Sequence, residues 1–127
     1  IASALHDVGK IAIADALLGA AGLGDLGDHF PPGDARWKGV SGTKLLADTA
    51  ALLRRHGSRI SNVDVTVVAE RPALQPHRRD MQFAIARALG VDTDQVSVKA
   101  TTAEGLGPMG ANAAIAAQAV ALVETIP

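Results

Sequence analysis

The sequence contains no cysteine among its 127 residues. Disulfide bonds, thiolate catalysis and cysteine-ligated zinc are therefore excluded. Aromatic residues make up only 2% of the chain, so the core must be built from Ala, Val, Leu and Ile, which bury little area each. A thin core in a chain of this size favours association with neighbouring subunits. We therefore expect a single domain over residues 1–127 that forms an oligomer.

Strong net charge and long apolar segments are also missing. Twelve basic and thirteen acidic residues give a net charge of −1. The chain therefore lacks the surplus of basic residues that would indicate a nucleic-acid or anionic membrane partner. No apolar run reaches the length of a membrane span, and the start lacks the basic region of a signal peptide. The sequence thus predicts a globular cytoplasmic protein. Its first residue is Ile1 rather than Met, which is compatible with a missing N-terminal piece.

Hydrophobic spacing and turn residues predict an alternation of helices and strands. Residues 113–123 are ambiguous, because their alanines favour a helix while their alternation also permits a strand. Between 22 and 39, glycine and proline predict a loop. The fold class that follows is an α/β sandwich, with one mixed sheet and helices packed on one face. The predicted helices are 8–21, 41–55 (capped by Ser41) and 76–89, and the predicted strands are 60–69 and 96–102.

Three groups of polar residues could carry chemistry. Thr101, Thr102 and Glu104 follow a predicted strand, where hydroxyls and loop amides can hold phosphate and a carboxylate can bind magnesium. Asp25, Asp28 and Asp34 lie in the loop, where carboxylates can bind sugar hydroxyls or a hard cation. His6 and Asp7 could ligate a metal, with Lys10 on a phosphate. Each group also has a structural interpretation: a polar strand end, a solvated turn and a helix N-terminus, respectively.

A series of short motifs runs from Asp15 to the C-terminus. They are DALLGAAGLGDLG (15–27), FP (30–31), NVDVT (62–66), RP (71–72), PH (76–77), VKATT (98–102), Glu104, LG (106–107) and AAQAVAL (116–122). In order and spacing these motifs resemble the 2-C-methyl-D-erythritol 2,4-cyclodiphosphate synthase family of isoprenoid biosynthesis. The family converts a CDP-linked methylerythritol phosphate into a cyclic diphosphate and CMP. The resemblance implies a phosphorus–oxygen lyase that is a homotrimer with active sites between subunits.

The resemblance also implies roles for individual residues. Thr102 is implied to polarise the diphosphate in catalysis, and Glu104 to hold magnesium. The residues implied to face the methylerythritol part are Asp25, Leu26, Gly27 and Asp34. The residues implied to form the cytidine pocket are Ala69, Pro72, Ala73, Leu74, Gln75, Ala100, Thr101 and Thr102.

The sequence departs from the family at several functional positions. The family's zinc-binding Asp-x-His strand has no counterpart, so N-terminal strands are expected to be absent, and a third zinc ligand falls at Ile11. The family's catalytic His-Ser pair falls at Ser3 and Ala4. A lysine of the cytidine loop is replaced by Ala73. An arginine and a glutamate near the threefold axis are replaced by Ala111 and Ala113. The zinc site is therefore expected to be lost and the activity to be impaired.

The first residues resemble another family. ALHDVGKIAI (4–13) is similar to the core motif of HD-domain phosphohydrolases, in which His and Asp bind a metal. Three hypotheses follow: a cyclodiphosphate synthase; a trimeric scaffold, degenerate or engineered, within a larger assembly; and an HD-type metal phosphohydrolase using His6 and Asp7. The strands predicted around Val63 and Val96 argue against the all-helical HD fold.

Overall fold

The structure is a computed structural model that describes residues 2–31, 33–35, 40–70, 75–102, 104–110 and 115–127, with only the backbone described at 2–6, 108 and 109. Helices precede the first strand and then alternate with strands along the rest of the chain, as the hydrophobic spacing predicts. The helices are α1 (Ala2–Ala20), α2 (Leu26–His29), α3 (Gly42–Arg55), α4 (Arg78–Leu89) and α5 (Gly107–Gly110), and the strands are β1 (Ser58–Val68), β2 (Val96–Thr101) and β3 (Ala116–Thr125). No described helix combines the length and apolar character needed to span a bilayer.

The described strands form one mixed sheet in the order β2-β1-β3. The central strand β1 pairs in parallel with β2, with Val65 opposite Val98, and antiparallel with β3, with Val65 opposite Ala119. The parallel pair requires a crossover, which α4 supplies. Because β1 and β2 are parallel and adjacent, their carboxyl ends lie side by side at one edge of the sheet.

The core lies between one face of the sheet and three helices. Val63, Val65 and Val67 alternate along β1 and are fully buried, which confirms the predicted period of two. The fully buried apolar side chains of the helices that cover this face are Ile13, Leu17 and Leu18 of α1, Leu46 and Leu53 of α3, and Ile85 and Leu89 of α4. The fold class is therefore the predicted one, a mixed α/β fold with helices packed on one face of the sheet.

The opposite face of the sheet carries no described helix, and its side chains are partly charged and partly apolar. Asp64 of β1 pairs with Lys99 of β2 at 2.8 Å. Beside them on β3, Val120 and Leu122 are 71% and 62% exposed. The second carboxylate oxygen of Asp64 is buried and has no hydrogen-bond donor among the described residues.

Several predicted boundaries need correction. Of the two alternatives for 113–123, the strand is confirmed for residues 116–123, which lie in β3, where half-buried alanines alternate with exposed residues. Helix α1 begins six residues earlier than the predicted helix, at Ala2. The predicted loop 22–39 contains α2, which forms because the side chains of Asp25 and Asp28 each accept a hydrogen bond from the other's backbone amide.

The predicted end signals of the longer helices are confirmed. Ser41 caps α3 by accepting a hydrogen bond from the Lys44 amide at 3.1 Å. Gly90 ends α4 in the left-handed conformation, with φ of 71°, which a glycine adopts without steric cost.

At the far end of the sheet, Glu124 of β3 binds the start of β1. The Ser61 hydroxyl donates to Glu124 Oε1 at 2.5 Å, and Arg59 lies 3.1 Å from Oε2. The hydrogen bond from Ser61 and then the interaction with Arg59 lower the pKa of Glu124 from its ordinary value of 4.5. Since the folded pKa is the lower one, the stabilisation is complete above about pH 4.5 and is lost as pH falls through the folded pKa.

We expect a carbon-detected NMR titration to give Glu124 a pKa below 4.5, and the Ser61→Ala variant to move that pKa towards 4.5. The effect on stability should be small because the carboxylate is exposed to solvent. A Glu124 pKa unchanged by Ser61→Ala would contradict this assignment.

Candidate functional site

The carboxyl ends of β1 and β2 bring together most of the described residues of the predicted cytidine pocket. Beyond the last strand pair, the Ala69 amide donates to the Thr101 carbonyl at 3.1 Å, so the ladder continues one residue past β1. Gln75 begins a short 3-10 turn, and its side-chain amide lies 3.5 Å from the Ala100 carbonyl oxygen. Pro72, Ala73 and Leu74 lie outside the described residues.

A tight turn directly after β2 holds the predicted catalytic and metal-binding residues. The Glu104 amide donates to Thr102 Oγ1 at 3.2 Å. Glu104 has a φ of 55° and Gly105 a φ of 77°, so two successive residues are left-handed, as at the centre of a type I′ turn. Glu104 is the one described non-glycine residue with a positive φ. Strain of this kind concentrates at functional sites.

Glu70 is a member of this cluster that the sequence analysis did not single out. Its Oε1 accepts a hydrogen bond from the Gly105 amide at 3.2 Å, which joins the end of β1 to the turn after β2. One feature of the sequence could have indicated Glu70: it is a carboxylate that directly follows a buried strand. That strand, β1, is parallel to β2, the strand that precedes Glu104.

The chemistry of this edge suits a phosphate that arrives with a hard cation. Thr101 and Thr102 supply hydroxyl groups and Glu104 supplies a carboxylate, while the Glu70 carboxylate lies beside the turn on the Gly105 amide, so the side-chain donor set contains oxygen alone. Magnesium is commonly held by one or two carboxylates, with substrate phosphates and water completing its coordination. The cation would also offset the repulsion between these carboxylates and a phosphate. The residues present therefore fit magnesium.

The predicted sugar-binding residues lie on another segment, which the described hydrogen bonds tie to α1 and to its own turns. Asp25 caps α2 and accepts from the Asp28 amide at 3.1 Å. The Leu26 amide donates to Asp15 of α1 at 3.2 Å. Gly27 is exposed within α2, and the Asp34 amide donates to the Pro31 carbonyl at 3.0 Å.

The HD-like pair lies inside helix α1, against the start of α3. His6 is described by its backbone only. A methyl group placed on Gly42 would lie 2.7 Å from an Asp7 carboxylate oxygen, so the two helices touch here. Lys10 is buried, and its ammonium group donates to Thr43 Oγ1 at 3.3 Å. Asp7 and Lys10 thus have a packing role at this helix contact.

The described side chains do not fit zinc. No group of three or more His, Asp or Glu side chains that could hold a metal ion occurs in the described part of the chain. Ile11, at the position of an implied zinc ligand, is 46% exposed on α1 and cannot coordinate a metal.

Comparison with known proteins identifies the family. The family model described as the YgbB family matches residues 4–124. The chain belongs to this family. A 2-C-methyl-D-erythritol 2,4-cyclodiphosphate synthase of Gloeobacter violaceus is 57% identical over 113 residues, which cover 89% of this chain and 69% of the relative. The bifunctional enzyme IspD/IspF of Paramagnetospirillum magneticum is 54% identical over 92% of this chain and 30% of the relative.

Solved structures of the family have the same fold. The bifunctional IspDF of Campylobacter jejuni superimposes with a TM-score of 0.88 at 35% identity, covering 93% of this chain and 32% of that protein. The IspF of Plasmodium falciparum, solved as its CDP complex, gives a TM-score of 0.81 at 30% identity, covering 94% of this chain and 72% of that protein.

The chain spans only part of the length of most of these relatives. The chain spans 30% of the length of the bifunctional relatives and 66% to 75% of the single-function synthases. The HD-like hypothesis gains no support from these comparisons, because the YgbB match includes residues 4–13.

Proposed function

We propose that this chain is a cyclodiphosphate synthase domain, which binds a CDP-linked methylerythritol phosphate and releases CMP on closing the cyclic diphosphate. The observation that carries the proposal is the convergence of Ala69, Thr101, Thr102 and Glu104 at the carboxyl ends of two parallel strands. Open α/β sheets bind ligands at this end of their strands. The named relatives and structural neighbours are synthases of this kind.

In this proposal the edge of the sheet binds the nucleotide and its phosphates. Of the described residues, Ala69, Gln75, Ala100, Thr101 and Thr102 would surround the cytidine. The Thr102 hydroxyl, which accepts from the Glu104 amide, keeps its own hydrogen to donate to a diphosphate oxygen. Glu104 would hold magnesium, which supplies charge neutralisation at the diphosphate. The segment carrying Asp25, Leu26, Gly27 and Asp34 would bind the hydroxyl groups of the methylerythritol part.

We propose that the synthase activity is impaired, because the described side chains do not form a set of zinc ligands. Ile11 occupies the position of an implied ligand, and its hydrocarbon side chain has no atom that could coordinate zinc. A catalytically inactive trimeric scaffold is the second candidate function, favoured by the same exposed isoleucine.

We propose a homotrimer built on the open face of the sheet. Val120 and Leu122 expose a large apolar area there. Asp64 and Lys99 lie beside them, with a buried oxygen of Asp64 that has no donor among the described residues of a single chain. A second copy of the chain would cover this face and complete a site between subunits. In this proposal the domain is cytoplasmic.

Calorimetric titration of the purified chain with CDP and CMP, with and without magnesium, tests the nucleotide site. We expect CDP to bind more tightly than CMP when magnesium is present, because magnesium held by Glu104 would neutralise the larger negative charge of the diphosphate. A CMP-release assay then measures turnover, which should be far below the median of about 10 per second for enzymes. No binding of either nucleotide at millimolar concentration would exclude the synthase and leave the scaffold.

A further inference from the structure

We infer that Glu70 is a positioning residue that fixes the turn carrying Glu104 and thereby sets the magnesium dependence of CDP binding. The inference rests on the proposed function, which supplies CDP and magnesium as the ligands. Glu70 directly follows Ala69 at the end of β1. Its Oε1 accepts the Gly105 amide at 3.2 Å, so one hydrogen bond joins two segments that are 35 residues apart in sequence.

The turn needs this bond because its backbone conformation is disfavoured for glutamate. Glu104 has a φ of 55°, where its Cβ approaches the following carbonyl oxygen. The local bond from the Glu104 amide to Thr102 Oγ1 holds one side of the turn. The bond from the Gly105 amide to a carboxylate holds the other side and is charge-assisted, so it is stronger than a neutral hydrogen bond.

Helix α5 closes the turn from a second direction. A Cβ placed on Gly110 would overlap the backbone of Gly105, so the two glycines are in close backbone contact. Gly110 is itself fixed by its amide, which donates to the Leu106 carbonyl at 3.0 Å. The turn therefore lies between the Glu70 carboxylate and the Gly110 backbone. Substitution at Gly110 offers an independent way to displace it.

This placement has a consequence for binding because Glu70 also begins the segment that leads to the proposed cytidine pocket. A shift of the turn would move the Glu104 carboxylate away from the diphosphate without changing the contacts of the base. Residues that orient a metal ligand typically change metal affinity 10–100-fold when substituted. CMP lacks the second phosphate, so its binding should depend little on the position of Glu104.

The experiment measures CDP affinity with and without magnesium, and CMP affinity, for the unchanged chain, Glu70→Ala and Glu70→Gln. We expect Glu70→Ala to lose about tenfold of the magnesium-dependent CDP affinity and to keep its CMP affinity. Glu70→Gln retains an acceptor oxygen and should largely preserve the magnesium effect. Glu124→Ala is the matched control, since Glu124 is an exposed glutamate that accepts hydrogen bonds at the opposite end of the sheet.

Amide hydrogen exchange of Gly105, measured by NMR on the nucleotide-free chain, tests the positioning separately. Exchange should be faster in Glu70→Ala, and Gly110→Ala should reproduce the loss of the magnesium effect. Unchanged Gly105 exchange, or equal losses of CDP and CMP affinity in Glu70→Ala, would overturn the positioning role. Failure of the unchanged chain to bind CDP would instead overturn the proposed function and the magnesium role with it. The exchange data distinguish these two failures.

Discussion

Glu104→Gly is expected to abolish the effect of magnesium on CDP binding and to leave the fold at least as stable as before. A metal that bridges protein and nucleotide couples the two binding events, and such coupling is typically about 5–150-fold. Without the Glu104 carboxylate, the ratio of CDP affinities with and without magnesium should fall to about one. The predicted loss is large because Glu104 is the one described side chain of the turn that carries a charge for the cation.

The expected gain in stability has a separate cause. The left-handed conformation costs a residue with a Cβ roughly 1–2 kcal/mol, and glycine does not pay this cost. The greater freedom of glycine in the unfolded chain removes about 0.5–1 kcal/mol of that gain. The free energy of unfolding should therefore stay constant or rise slightly.

Glu104→Gln separates the two effects. This variant keeps the strained backbone and the size of the side chain but removes the charge, so it should lose the magnesium effect without gaining stability. Calorimetry and thermal unfolding of the three proteins at one concentration give both quantities. If Glu104→Gly retained the magnesium effect, Glu104 would not be the metal ligand; if it unfolded at a clearly lower temperature, the turn would not be strained.

The parts of the fold that the sequence predicts are those set by local chemistry. The period of two in Val63, Val65 and Val67 and the Ser41 cap follow from neighbouring residues, and both are confirmed. Strand β3 was ambiguous because alanine satisfies a helical pattern as well as an alternating one. The structure identifies it as a strand because it pairs with β1 over ten residues. That pairing is distant in sequence, so periodicity alone could not detect it.

The candidate site follows the same division. Thr101, Thr102 and Glu104 are contiguous and could be recognised as a polar strand end. The bond from Gly105 to Glu70 depends on the parallel pairing of β1 with β2, and no local pattern records it. Asp25 illustrates the opposite case, because its carboxylate is engaged in the capping box of α2, a local function that composition could not distinguish from sugar binding.

The family match is compatible with an isoleucine at position 11, because fold and chemistry depend on different residues. The YgbB match covers residues 4–124, and the buried residues of α1 keep one continuous apolar face towards the sheet. Ile11 lies on the exposed side of the same helix, so its substitution changes no core contact. The residue at position 11 can therefore vary without loss of the core that α1 forms with the sheet.

Leu46→Ala should lower the free energy of unfolding by about 3 kcal/mol. Leu46 is fully buried on the core side of α3, and truncation of its side chain leaves a cavity. Leu52 on the same helix is partly buried against the core, so Leu52→Ala should cost about 1 kcal/mol from the smaller apolar area that returns to water. The two variants make the same chemical change in one helix and differ in burial alone. Helix propensity therefore cancels between them.

Urea unfolding at a fixed chain concentration gives both values, since the stability of an oligomer depends on concentration. Relaxation of the neighbouring side chains into the Leu46 cavity sets where the loss falls within the range of roughly 2–5 kcal/mol found for such truncations. The slope of unfolding free energy against urea should be unchanged in both variants. Equal losses of stability in Leu46→Ala and Leu52→Ala would contradict the difference in burial between these two side chains within one chain. Such a result would mean that another chain covers Leu52 in solution.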